Sequence, residues 1–201
     1  MTTRTLAVVS AGLSTPSSTR LLADRLSEAT VEALRAVDVD ATVEVVELRN
    51  HARGLADHLL TGFATAELRQ AIDTVSGADG VIAVSPIFAA SYSGLFKTFV
   101  DVLDPQALDG TPVLIGATAG TARHSLALEH AMRPLFVYLH ATVVPTAVFA
   151  ASEDWAAGGV HALSARVTRA AGELADLVAG RPAEIRPPTG LPSFHDLLRR
   201  R

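Results

Sequence analysis

The sequence contains no cysteine. That absence excludes disulfides, iron–sulfur clusters, thiolate zinc sites and thiol redox chemistry together, so any redox function has to borrow its electron carrier. Lysine is nearly as scarce: Lys97 is the only one, and the formal net charge of -4 leaves no basic face for nucleic acid. The basic cluster Arg199 to Arg201 closes the chain and reads as a solvated tail. Aromatic residues make up only 5%, but hydrophobic residues reach 49% against 19% charged, a balance that excludes disorder. No apolar run approaches the roughly 18 residues of a membrane span. Met1, Thr2, Thr3 and Arg4 lead straight into a strand-like run without an apolar leader, which predicts a cytoplasmic protein with no membrane partner.

Several familiar motifs are missing as well. There is no G-x-G-x-x-G after the first strand and no G-x-x-x-x-G-K-[ST], since Phe96 precedes Lys97 and Thr98 without the glycine pattern. The histidines form no H-E-x-x-H and no metal-ligand spacing, and no G-x-S-x-G elbow offers a hydrolytic serine.

What is present is an alternation. A chain of 201 residues suits a single α/β domain. Strand-like runs at Thr5 to Ser10, Thr42 to Leu48, Val81 to Ser85, Pro112 to Ala117 and Val143 to Ala150 alternate with helical patterns. The first helix is expected to open within Ser14 to Thr19 and run to about residue 37, with others at Ala64 to Ser76, Tyr92 to Leu103, Thr121 to Leu139 and Trp155 to Ala179. Such alternation implies a parallel sheet covered by helices on both faces, and five strands favour the flavodoxin-like order 2-1-3-4-5. Arg49 to Phe63, with Gly54 and Gly62, is long for a connection and predicts an irregular helix or a mobile flap. Pro182, Pro187, Pro188 and Pro192 mark a domain over residues 1–180 followed by an extended tail at 181–201.

In an open parallel sheet a ligand sits beyond the carboxyl ends of the strands, at the switch point between the first and third. The loop after the first strand runs Ser10-Ala11-Gly12-Leu13-Ser14-Thr15-Pro16-Ser17-Ser18-Thr19-Arg20. It brings hydroxyls, free backbone N–H groups and one guanidinium to a helix N-terminus, which suits a phosphate monoester. One hydroxyl there would be a helix cap; so many point to a ligand. The loop after the third strand, Ser85-Pro86-Ile87-Phe88-Ala89-Ala90-Ser91-Tyr92-Ser93-Gly94-Leu95-Phe96-Lys97, offers a small-residue ledge for the polar edge of an aromatic heterocycle, although Phe88 and Tyr92 serve equally well as core aromatics. A third loop, Ala117-Thr118-Ala119-Gly120-Thr121-Ala122-Arg123-His124, offers small residues on which a ring could rest.

In this order and spacing the three loops resemble the NAD(P)H-dependent FMN reductase family of flavodoxin-like proteins, over about residues 5–178. The likeness is to actinobacterial reductases that supply luciferase-like monooxygenases. The resemblance implies that Ser10, Ser17, Ser18, Thr19 and Arg20 hold the FMN phosphate. Pro86, Ile87, Phe88, Ser91, Tyr92 and Ser93 contact the ring and ribityl chain, and Thr118, Ala119 and Gly120 line the ring from the other side. Many relatives carry tyrosine in place of Phe88 and a second glycine in place of Ala119. By the same resemblance NAD(P)H passes hydride to bound FMN and reduced FMN leaves for a partner flavin-dependent monooxygenase, so the protein supplies anchoring and alignment without a catalytic side chain. A quinone or azo reductase with retained FMN and a flavodoxin-type electron carrier remain as alternatives on the same fold. His130 falls where reductases of sulfonate utilisation carry an aromatic or imidazole insertion; an exposed or interface histidine is the plainer reading. Relatives assemble as dimers or tetramers. Phe96, Phe99, Val100, Leu103, Leu128, Met132, Leu135 and Phe136 fit either such an interface or burial within one subunit.

Overall fold

The computed structural model describes residues 2–156 and 159–180. The expected tail at 181–201 lies outside the described residues. In chain order the elements are β1 (Thr2–Ser10), α1 (Ser18–Arg35), β2 (Val39–Glu47), α2 (Leu48–Thr61), α3 (Ala66–Ser76), β3 (Gly80–Phe88), β4 (Ser91–Tyr92), α4 (Gly94–Asp101), β5 (Pro112–Ala119), α5 (Arg133–Tyr138), β6 (Thr142–Val143), β7 (Val148–Ala151) and α6 (Val160–Val178). Short 3-10 turns at Ala122–His124 and Ser152–Trp155 and a π turn at Leu128–Met132 complete it.

Strands pair in parallel in the order β2-β1-β3-β5, and β6 and β7 share the outer edge of β5. Counting that broken edge as one position, the sheet has the expected flavodoxin-like order. Side chains alternate between two cores as a strand's period of two requires. Ala7, Val9, Val81, Ala83, Val113 and Ile115 face α2 to α5, while Leu6, Val8, Ile82, Val84 and Leu114 face α1 and α6. No helix among the described residues is long and apolar enough to cross a membrane.

Five local expectations are corrected. The segment Arg49 to Phe63 is an ordinary helix, α2, which leaves β2 without a linker, buries Leu48 and Leu55 on one side, and stops at Gly62 in the left-handed region, φ 76°. Tyr92 is not helical, because Ser91 and Tyr92 fold back antiparallel on Phe88 and Ile87. Helix α4 then begins behind Ser93, whose side chain accepts the N–H of Phe96.

The expected fifth strand is interrupted at residues 144–147, where Pro145 cannot donate to the ladder. Arg133 donates to the carbonyls of Val144 and Pro145 at 2.9 and 3.0 Å, and the Glu173 carboxylate accepts the N–H and hydroxyl of Thr146, each at 2.7 Å. Finally, the expected helix Thr121 to Leu139 is a 3-10 turn, a π turn and the short α5. The π turn is closed by the Arg133 N–H on the Leu128 carbonyl. His130 is exposed on it, while Leu128, Met132 and Phe136 stay buried. Helix α6 starts at Val160, five residues later than expected, because Ser152–Trp155 forms its own turn.

Candidate functional site: a cleft over the ends of three strands

Ser10 ends β1 fully enclosed, and the chain then climbs through Gly12 into α1. Ser17 is the helix cap: its Oγ accepts the N–H of Arg20 at 3.2 Å. A Cβ on Gly12 would stand 2.1 Å from that Oγ and 3.2 Å from Thr19 Cβ, so only glycine lets the loop settle onto the first turn of α1. The N–H groups of Ser18 and Thr19 are in the first turn, where no helical carbonyl reaches them. They are the free donors a phosphate needs, reinforced by the positive end of the helix dipole.

Thr19 is buried and its hydroxyl lies 2.8 Å from that of Thr118, which stitches α1 to the end of β5. The Ala11 N–H reaches the Val84 carbonyl at 2.9 Å and ties the same loop to β3. Three strand ends are thereby held in fixed relation around a cleft of about 410 Å³. Its walls are Leu13, Ser14, Ser17, Ser18 and Thr19 after β1, Pro86, Ile87 and Phe88 at the end of β3, Thr118, Ala119 and Gly120 at the end of β5, and Ser152 and Trp155 after β7. That volume lies within the range of small-molecule and cofactor sites, about 300–1,000 Å³.

Nine of the expected residues therefore meet in one place, and five do not line it. Ser10 lies beneath the loop. The Arg20 guanidinium turns to carboxylates instead, donating to Asp24 Oδ1 at 2.7 Å and to Glu47 Oε1. Its pKa is raised above the ordinary arginine value, first by the hydrogen bond to Asp24, with the bond to Glu47 acting in the same direction against the cost of burial. Ser91, Tyr92 and Ser93 build the hairpin behind the cleft wall. The N–H of Ser93 reaches the buried Ser85 hydroxyl at 2.9 Å, and the Tyr92 ring sits 5.8 Å from that of Phe96. Tyr92 is half-buried and packs against the core, whereas Phe88 stands at the rim, 49% exposed.

Ser152 and Trp155 were missed. The available signal was positional, since the loop after the last strand opens at the same end of the sheet as the others, and Trp155 is the chain's only tryptophan. Its ring is held by the Arg25 guanidinium, 4.9 Å from the ring centre. Lys97 is paired with Asp101 at 2.5 Å on the exposed side of α4, away from the cleft.

The profile of the NADPH-dependent FMN reductases matches residues 4–156, a stretch that contains all three loops and the cleft they line. The chain belongs to that family. Among individual FMN reductases, it is 37% identical to an FMN reductase (NADPH) of Pseudomonas aeruginosa over 175 residues, covering 86% of this chain and 91% of the relative. It is also 36% identical to the NADH-dependent FMN reductase SfnF of Pseudomonas putida over 146 residues, 73% of this chain and 76% of that one. An oxidoreductase from Corynebacterium diphtheriae superposes with a TM-score of 0.87 at 47% identity, over 90% of this chain and all of that one. The protein is an NAD(P)H-dependent FMN reductase, an oxidoreductase whose redox groups are FMN and a nicotinamide. The cleft fits the flavin on its own terms: free first-turn amides for a dianion, a glycine where the loop must close, and small or apolar walls for a ring.

Proposed function

We propose that the enzyme binds FMN as an exchanging substrate and delivers it, reduced by NAD(P)H, to a partner flavin-dependent monooxygenase. The observation that carries this reading is the asymmetry of the cleft. Its phosphate end is closed by hydrogen bonds, while its rim residues Leu13 and Phe88 are about half exposed, at 53% and 49%. A site anchored at one end and open along the other suits a ligand that enters and leaves. In this assignment the amides of Ser18 and Thr19 and the hydroxyls of Ser17 and Ser18 hold the phosphate. Ser10 and Arg20 support the loop from behind, Pro86, Ile87 and Phe88 run along one edge of the ring, and Thr118, Ala119 and Gly120 lie against its face. Ser91, Tyr92 and Ser93 act by shaping the hairpin. Bound FMN supplies the redox chemistry, accepting two electrons from NAD(P)H. The chain's part is to orient the ring and keep the phosphate fixed.

The decisive assay follows NADH and NADPH oxidation by purified protein with and without added FMN. Rates that require added FMN support the exchanging reading. Flavin that co-purifies and turns over a quinone or azo dye without added FMN overturns it in favour of a retained cofactor.

We further propose a homo-oligomer, dimer or tetramer, through residues other than those expected from the sequence. Phe96, Phe99, Val100, Leu103, Leu128, Met132 and Phe136 are buried inside one subunit. Leu126, Val137 and Tyr138, on the π turn and α5 side, are left exposed at 64%, 57% and 75% and are the residues a second copy would cover. A monomeric mass in solution would overturn this.

A further inference from the structure

Arg49 lies outside the cleft yet is tied to its rim. It is the second residue of α2, and its Nη1 donates to the Ser14 carbonyl at 3.0 Å and to the Thr15 hydroxyl. Its Nη2 stands 2.6 Å from Glu47 Oε2. The other oxygen of Glu47 receives Arg20 Nη1. One carboxylate at the end of β2 therefore holds two arginines, one in the first turn of α1 and one in the first turn of α2. Residues 13–16 are exposed, and among the described residues Arg49 supplies the hydrogen bonds that reach Ser14 and Thr15 from another element. The loop that closes over the first turn of α1 is thus pinned to a helix whose own seat, Leu48 and Leu55, is fully buried.

We propose that Arg49 is a latch on the phosphate loop: a positioning residue, oriented by Glu47, that holds Ser14 to Ser17 in the conformation that receives the phosphate. The inference rests on the phosphate assignment at Ser17 to Thr19 and deepens it. The residue type matters. A planar guanidinium can bond a carbonyl and a hydroxyl from one nitrogen while a second nitrogen meets a carboxylate, and an ammonium has no such fork. What the latch contributes is order before binding, since a loop already held in place loses less freedom when the ligand arrives. As a partly exposed ion pair it adds little to folding stability, so its removal shows in binding and leaves the melting temperature nearly unchanged.

Arg49→Ala and Arg49→Lys are titrated with FMN and, separately, with riboflavin, which has the same ring and no phosphate. Quenching of Trp155 emission and of the flavin's own fluorescence report binding. The expected result is an FMN Kd about tenfold weaker in Arg49→Ala, with riboflavin changed by less than about twofold and Arg49→Lys in between. Equal losses for both flavins would make Arg49 a general structural residue and overturn the latch, as would an unchanged FMN Kd. If the wild-type protein itself binds FMN no more tightly than riboflavin, the phosphate site fails and the latch falls with it. If the wild type prefers FMN and Arg49→Ala keeps that preference, the latch alone fails.

Discussion

The two walls of the cleft are built on opposite principles. The wall after β1 is mostly polar and, Leu13 apart, tied by hydrogen bonds: Ser17 caps α1, Thr19 meets Thr118, Ala11 bonds β3, and Arg49 and Glu47 hold the outer loop. The wall at the end of β3 is apolar, its Phe88 half exposed, and it turns through Ala89 and Ala90, both in the left-handed region at φ 47° and 68°. Alanine adopts that region at a cost, on the order of 1 kcal/mol per residue. In the proposed assignment one wall recognises charge through fixed donors and the other recognises a flat ring through shape. Affinity for the phosphate and tolerance toward the ring should therefore respond to different mutations.

The sharpest way to break that division is Gly12→Ala. The new methyl would occupy the space of the Ser17 hydroxyl, which lies 2.1 Å from the ideal Cβ, and would force it off its cap. Losing the cap costs about 1 kcal/mol, or roughly 2–4 °C in Tm for a chain of this size. The displaced hydroxyl and the lifted loop together should weaken FMN binding about thirtyfold, a loss of about 2 kcal/mol at roughly 1.4 kcal/mol per factor of ten. Riboflavin should lose far less. A variant whose FMN and riboflavin affinities drop by the same factor would show that the two walls act as one unit.

The part of this arrangement legible in the sequence is the part that obeys local rules. Apolar runs such as Leu6 to Val9 and Val81 to Val84 had to be strands buried on both faces, and a hydroxyl-rich segment before α1 had to be a cap or an anion site. What escaped depends on partners distant in sequence or on backbone geometry that the residue types disguise. Arg20 reads as a phosphate ligand until Glu47, 27 positions away, is brought beside it. Arg49 carries no motif, and its role appears only when α2 starts directly at the end of β2. Gly54 in mid-segment, with Gly62 at its end, makes that regular helix read as an irregular helix or a flap. The turn at Ala89 and Ala90 has none of the asparagine or glycine that marks such turns, so the sequence pattern starts the helix at Tyr92, inside the hairpin. The interruption after β6 did carry a signal, Pro145, but the arginine and glutamate that satisfy its backbone come from two separate helices.

The milder perturbation acts on the second wall. Replacing Ala89 with Asn and Ala90 with Gly supplies the residues that a turn with two left-handed positions prefers. It should stabilise the protein by about 1–2 kcal/mol, read as a rise in Tm. The hairpin contributes Phe88 to the rim and makes no contact with Ser17, Ser18 or Thr19 through any hydrogen bond found among the described residues. Any change in flavin affinity should therefore be shared equally by FMN and riboflavin, leaving their ratio as in the wild type. A relaxed hairpin that altered the ratio would mean that the strained turn sets the phosphate wall as well. An unchanged Tm would mean that the chain stores no strain there, and the contrast between a tied wall and a tensioned one would reduce to a contrast of polarity alone.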